Sequence, residues 1–349
     1  MQDKVASEAK LFHEDIEVGR PYDCGRRIVT KEEIIAFARQ FDPQPMHLDE
    51  EAAKNTLVGG LCASGFHTCA MMMRMVCDGI LNRVVSLGSP GVDEVRWVRP
   101  VRPGDVLSVR YLAREKRILA SRPDVGMCKV IVDLVDDKGE VVASWTTNQL
   151  TRVRNPGPPP AEPAPKRERQ AIPSLWDLAV PAGPPLPDAY FEDRQIGEMA
   201  EFASHTFGKD EIIAFAREYD PQPFHLDEAA AKASLFGNLC ASGWHTAAIF
   251  IRGVVAERLK ANAAARARGE RVAVYGPSPG FRRLFWPKPV FVGDTVSFRA
   301  RLTEKVDLKS RPDRGLLMSE VQGRNQNGEI VFGITSQILA ERREPYRPS

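Results

Sequence analysis

The chain contains a second copy of itself, and this internal repeat restricts its fold more than any other feature. Asp42-Pro43-Gln44-Pro45-Met46-His47 returns as Asp220-Pro221-Gln222-Pro223-Phe224-His225, a displacement of 178 residues for both the acid and the imidazole. The same displacement relates Leu11-Phe12-His13-Glu14-Asp15 to Ala189-Tyr190-Phe191-Glu192-Asp193, and Leu61-Cys62-Ala63-Ser64-Gly65 to Leu239-Cys240-Ala241-Ser242-Gly243. A length of 349 residues suits two ordinary domains. The repeat places them at 1–154 and 188–349, joined by a proline-rich linker over 155–187 whose basic run Lys166-Arg167-Glu168-Arg169 is a solvated stretch.

Within each unit the order of signals is the same. Thr30-Lys31-Glu32-Glu33 is a capping-box pattern ahead of Ile34, Phe37, Ala38 and Phe41, which share one helical face. Its counterpart starts after Gly208. Both helices are expected to stop at the repeated loop, because a proline at the next position drives Asp42 and Asp220 out of the α region. A second proline two residues later stiffens the path to the histidine. Asp49 and Asp227 are placed to cap short helices through Ala53 and Ala231. Ser64 and Ser242 then look like caps of long apolar helices over Phe66 to Leu81 and Trp244 to Leu259. The run from Met71 to Val76 is apolar on nearly every side, which marks a helix wrapped by other structure.

Strands follow. In the first unit they are expected over 92–98, 106–114, 127–135 and 141–152, separated by turns at Pro103-Gly104-Asp105, Arg122-Pro123-Asp124 and Asp137-Lys138-Gly139. The second unit repeats the turns at Val292-Gly293-Asp294, Arg311-Pro312-Asp313 and Asn327-Gly328. At the Gly-Asp turn the displacement has grown from 178 to 189, so 11 residues are inserted. The Ala/Arg-rich stretch 260–269 is the place for them, and it predicts a longer second central helix. The fold class is therefore α+β, a sheet curled around a buried helix in each half.

Charge and cysteine usage remove several classes of function. Lysine and arginine number 48 against 46 acids, so no strong field favours nucleic acid or an anionic membrane. None of the six cysteines forms a CxxC pair, so buried free thiols are expected in place of a zinc site or a disulfide framework, and no metal is expected. The N-terminus lacks the apolar core of a signal peptide and no apolar run is long enough for a bilayer, which predicts a cytoplasmic protein.

The duplicated loop resembles the signature of the MaoC-like acyl-CoA hydratase family: aspartate, any residue, asparagine, proline, any residue, histidine. Both copies match it with glutamine, Gln44 and Gln222, in place of asparagine. Ala63-Ser64-Gly65-Phe66-His67 and Ala241-Ser242-Gly243-Trp244-His245 are similar to the start of that family's central helix. The resemblance implies a double hot dog, each half a curved antiparallel sheet around a long central helix, paired as a pseudo-dimer within one chain; further assembly into a homo-oligomer stays open. It also implies reversible (R)-specific hydration of an enoyl-CoA, with coenzyme A as part of the substrate and no separate cofactor.

Hydrating a trans-2-enoyl thioester needs a base for water, a proton for C2 and hydrogen-bond donors for the enolate-like oxygen. The resemblance assigns the first two tasks to Asp42 with His47 and to Asp220 with His225. It assigns the third to backbone N–H groups at the helix start, Gly65 with Phe66 and Gly243 with Trp244, where the dipole is positive and glycine permits close approach. Gln44 and Gln222 are expected to orient water or acid. Both halves are expected to retain a site, the C-terminal one being favoured if only one does.

Plainer roles compete for other residues. His67 and His245 are better read as packed or capping histidines, and Arg74 and Arg252 as partners of internal acids. Arg96, Arg99, Arg282 and Arg283 could meet phosphates, although strand arginines usually face solvent. A hot-dog thioesterase is the alternative enzyme, but it usually carries a carboxylate in or near the central helix, and none lies between Ser64 and Val76. A noncatalytic acyl-CoA-binding module is the alternative outside enzymes.

Overall fold

The computed structural model of the protein describes residues 10–158, 173–180 and 187–347. The basic run at 166–169 lies outside them. In the first half, strand β1 (Pro21–Ile28) leads into helix α1 (Lys31–Phe41), the short helices α2 (Pro45–Leu48) and α3 (Glu50–Lys54), and the central helix α4 (Gly65–Val76). Strands β2 (Gly91–Trp97), β3 (Val106–Leu119), β4 (Arg122–Asp136) and β5 (Val141–Arg152) follow. The second half repeats this as β6 (Met199–Thr206), α5 (Lys209–Tyr219), α6 (Pro223–Leu226), α7 (Glu228–Ala233), α8 (Gly243–Ala267), β7 (Gly280–Phe285), β8 (Thr295–Asp307), β9 (Arg314–Arg324) and β10 (Ile330–Glu341).

All ten strands form one antiparallel sheet, ordered β1-β3-β4-β5-β2-β7-β10-β9-β8-β6. The order reads the same from either end when the halves are exchanged, so the halves meet edge to edge at β2 and β7, where Val92 pairs with Leu284 and Val95 with Phe281. Joining there removes one exposed edge from each half. Alternate residues of β3, Leu107, Val109, Tyr111 and Ala113, turn inward as period two requires. They close around α4, of which ten residues are buried. One continuous apolar core spans both halves.

The helix signals hold. Thr30 Oγ1 accepts from the Glu33 N–H and Glu33 accepts from the Thr30 N–H, closing the capping box, and Ile34, Phe37, Ala38 and Phe41 are the buried face of α1. Asp49 and Asp227 cap α3 and α7. Helix α8 runs 25 residues, whereas α4 has 12 and then loosens into a π turn over Cys77–Leu81.

Two expectations for the strands need correction. The proposed turn at Arg122-Pro123-Asp124 belongs to β4: the chain reverses at Ala120 and Ser121, and Pro123, which has no N–H to donate, sits where the β3–β4 register slips between Ile118 and Leu119. Strands β1 and β6 are absent from the pattern reading. Their burial does not alternate cleanly, since each is an edge strand with a bulge at 23/26 or 202/205. The turn at 311–313 is present as expected. Of the linker, Leu175 is buried and its N–H donates to Gln322 Oε1 at 2.9 Å, while Arg299 and Arg324 lie over the Trp176 ring. This part of the linker is docked on the second half.

Candidate active site

Each repeated loop builds the same cluster. Helix α1 ends at Asp42, whose φ of −147° is no longer helical, and the chain turns through a Gln44 N–H to Asp42 carbonyl bond of 2.7 Å. Pro45 occupies the first turn of α2, where its missing N–H costs nothing and its fixed φ favours helix, and this single turn brings His47 back toward Asp42. The second loop does the same through Asp220, Pro223 and His225.

The acid and imidazole face one another across a gap. His47 Nε2 lies 3.7 Å from Asp42 Oδ2, and His225 Nε2 lies 3.6 Å from Asp220 Oδ2. These distances are too long for a direct hydrogen bond and short enough for one water to touch both groups. All four side chains are at least nine-tenths buried.

Second contacts fix the orientation. His47 Nδ1 is 2.8 Å from the Cys62 carbonyl oxygen and His225 Nδ1 is 2.8 Å from that of Cys240. A carbonyl only accepts, so Nδ1 carries a proton and Nε2 is the ring nitrogen left facing the carboxylate. Asp42 Oδ2 accepts from Ser64 Oγ at 2.6 Å and Oδ1 accepts from Gln44 Nε2 at 2.9 Å; Asp220 accepts from Ser242 and Gln222 at the same distances. The neighbouring thiols are inert, burial pushing Cys62 up to about 11 and Cys240 up to about 12.

Ser64 and Ser242 are the residues that sequence reasoning undervalued. Each accepts the N–H two residues ahead at 3.2 Å, as a helix cap does, while donating its own proton to the acid. Their presence in both copies was the available signal. This corrects the expectation for Phe66 and Trp244, whose N–H groups are taken by those hydroxyls. Among the described residues the Gly65 and Gly243 N–H groups make no hydrogen bond.

The reason for glycine also changes. A Cβ at Gly65 would lie 2.4 Å from the Trp97 indole, and one at Gly243 would lie 2.4 Å from the Trp286 indole. Glycine is required there by a tryptophan face, not by free space awaiting a ligand. Those two tryptophans recur at a displacement of 189, a signal that was legible in the sequence.

His67 and His245 stand apart from both clusters. They stack on Phe37 and Phe215 with ring centroids 4.6 Å apart, and burial, aided by nearby cationic groups, lowers both to about 3. They are packed neutral rings. Arg74 binds Asp78 and donates to the carbonyls of Arg217 and Glu218, so it covers the end of α5 in the other half. Arg252 donates to His205. Arg99 pairs with Asp105 and Asp136, and Arg96 and Arg282 flank Glu94.

Among the described residues no helix is long and apolar enough to cross a membrane. A family model described as "MaoC like domain" matches residues 15–133 and 192–316, once in each half. A MaoC domain protein from Chloroflexus aurantiacus J-10-fl, whose name includes the word dehydratase, superposes with a TM-score of 0.74 at 17% identity, covering 97% of this chain and 99% of that one. A Mycobacterium tuberculosis protein described as having a double hotdog fold superposes at 0.67 and 16% identity, covering 95% of this chain and 98% of that one. The uncharacterized protein YdeM of Bacillus subtilis (strain 168) is 27% identical over 36% of this chain and 87% of its own length. The two matches together cover most of the chain, so the chain belongs to the MaoC-like dehydratase family; its own fold is a double hot dog.

Proposed function

We propose that the protein is an (R)-specific enoyl-CoA hydratase, a hydro-lyase that adds water reversibly across the 2,3 double bond of an acyl-CoA thioester and, in reverse, dehydrates the 3-hydroxyacyl thioester. The observation that carries this is the gap between His225 Nε2 and Asp220 Oδ2, 3.6 Å wide, with the imidazole held through Nδ1 and the carboxylate through Oδ1, so that Nε2 and Oδ2 face one another. A water held there gives one proton to the pair as its oxygen bonds to C3. The π electrons move through C2 to the thioester oxygen, and collapse of this enolate takes a proton from the pair at C2, leaving the groups as they began. To the unbonded Gly243 N–H, at the positive end of α8, we assign the hydrogen bond to the enolate oxygen. Asp42, His47 and Gly65 offer the same set in the first half.

Incubation with crotonyl-CoA tests the reaction. Reversible loss of the conjugated enoyl absorbance, with 3-hydroxybutyryl-CoA formed, is expected. Release of free coenzyme A thiol would mark a thioesterase, and binding with neither change would mark a noncatalytic module; either result overturns the proposal.

A further inference from the structure

The two centres have matching catalytic groups but differ in what covers them. On the outer side of the second loop lies a cleft of about 330 Å³ lined by Lys10, Leu81, Val84, Ser86, Gln222 and Phe224. A second of about 200 Å³ shares Ser86 and Phe224 and continues past Arg152 and Phe236. Gln222 is part of its wall; this buried side chain accepts from Ser86 Oγ at 3.0 Å and donates its amide N–H to Asp220 Oδ1 at 2.9 Å. Its volume is in the range of sites that hold small organic ligands.

The corresponding space beside Gln44 is occupied. Arg258 donates to Gln44 Oε1 at 3.1 Å and lies 3.2 Å from the buried Asp188, which accepts from Asn262 at 2.7 Å. The Arg258 guanidinium sits over the Tyr275 ring at 5.9 Å. The repeat identifies the exchanges. Ser86 bridges to Thr151 as Tyr275 bridges to Ala340, both displaced by 189, and at 178 Lys10 answers to Asp188 and Ile80 to Arg258. A serine and a lysine thus stand at the second centre where a tyrosine and an aspartate stand at the first, which also has Arg258 in place of Ile80.

We infer that the chain takes one thioester substrate, at the Asp220–His225 centre through the Ser86 cleft, and that Tyr275, Arg258 and Asp188 plug the Asp42–His47 centre on the equivalent side. Lys10 at the cleft rim suits a phosphate-bearing arm such as that of coenzyme A, whereas the residue at the matching position, Asp188, is a buried acid paired with Arg258 and offers no cation. The inference rests on the proposed substrate class but not on the reaction.

Calorimetric titration with an unreactive thioether analogue of crotonyl-CoA tests it. One molecule per wild-type chain is expected, Ser86→Tyr weakening binding at least tenfold, and Tyr275→Ser adding a second binding event. Two equal sites in the wild-type chain, no binding at all, or unchanged affinity in Ser86→Tyr would overturn it. Single-site binding without hydration would sink the proposed reaction and leave this asymmetry standing; hydration with two equal sites would do the reverse.

Discussion

Ser242 Oγ lies 2.6 Å from Asp220 Oδ2 and accepts the Trp244 N–H at 3.2 Å, so one hydroxyl starts the central helix and holds the acid. Hydrogen bonds to a charged group contribute about 1.5–3 kcal/mol, and loss of a serine cap costs about 1 kcal/mol. Ser242→Ala should therefore lower kcat for hydration by about tenfold or more and reduce unfolding stability by about 1–3 kcal/mol. Ser242→Thr should recover most of both. Loss of stability with unchanged kcat would reduce Ser242 to a cap.

Asp220→Asn keeps the volume while replacing the proposed base by an amide, whose oxygen still accepts from one of Ser242 and Gln222. A fall in kcat/KM of about 10²–10⁴ is expected, with the thermal midpoint moving little. Initial rates on crotonyl-CoA beside a melting curve make the comparison.

Gly65→Ala and Gly243→Ala drive a methyl into the indoles of Trp97 and Trp286. Overpacking of this sort costs about 1–3 kcal/mol. Pairing Gly65→Ala with Trp97→Phe should cost less than the sum of the two single changes, and strict additivity in denaturant titrations would refute the contact as the cause.

His67 and His245 titrate in the unfolded chain near the ordinary histidine value of about 6.5 and in the fold at about 3. Between those values the unfolded state binds the extra protons. Stability should therefore be fully present above about pH 6.5 and fall as the pH drops toward 3. Urea midpoints from pH 7 to 4 measure this. The double variant His67→Gln/His245→Gln should flatten the slope over that range.

Much of the site was legible because it is local. Pro43 and Pro221 end their helices from the next position, and one helical turn separates proline from histidine, so the pairing of acid with imidazole needs no knowledge of the tertiary structure. The reason for Gly65, and the bond that the capping Ser64 donates to Asp42, were not legible for the opposite reason. Trp97 reaches Gly65 from a strand 32 residues along the chain, and no local pattern reports that approach. The strands β1 and β6 escaped because bulged edge strands bury too few residues to show a period of two. The unequal surroundings of the centres depend on single exchanges, Ser86 for Tyr275 and Lys10 for Asp188, which become visible only when the repeat is laid over itself in three dimensions.

Cys77, from the first half, donates its thiol hydrogen to Asp220 Oδ1 at 3.3 Å, and Arg74 beside it seals the helix that ends in that same acid. The second centre is thus a composite of both repeats. The first half is thereby built into the second centre as its scaffold: it must be folded and in place for the Asp220 carboxylate to keep its orientation, independent of any turnover of its own.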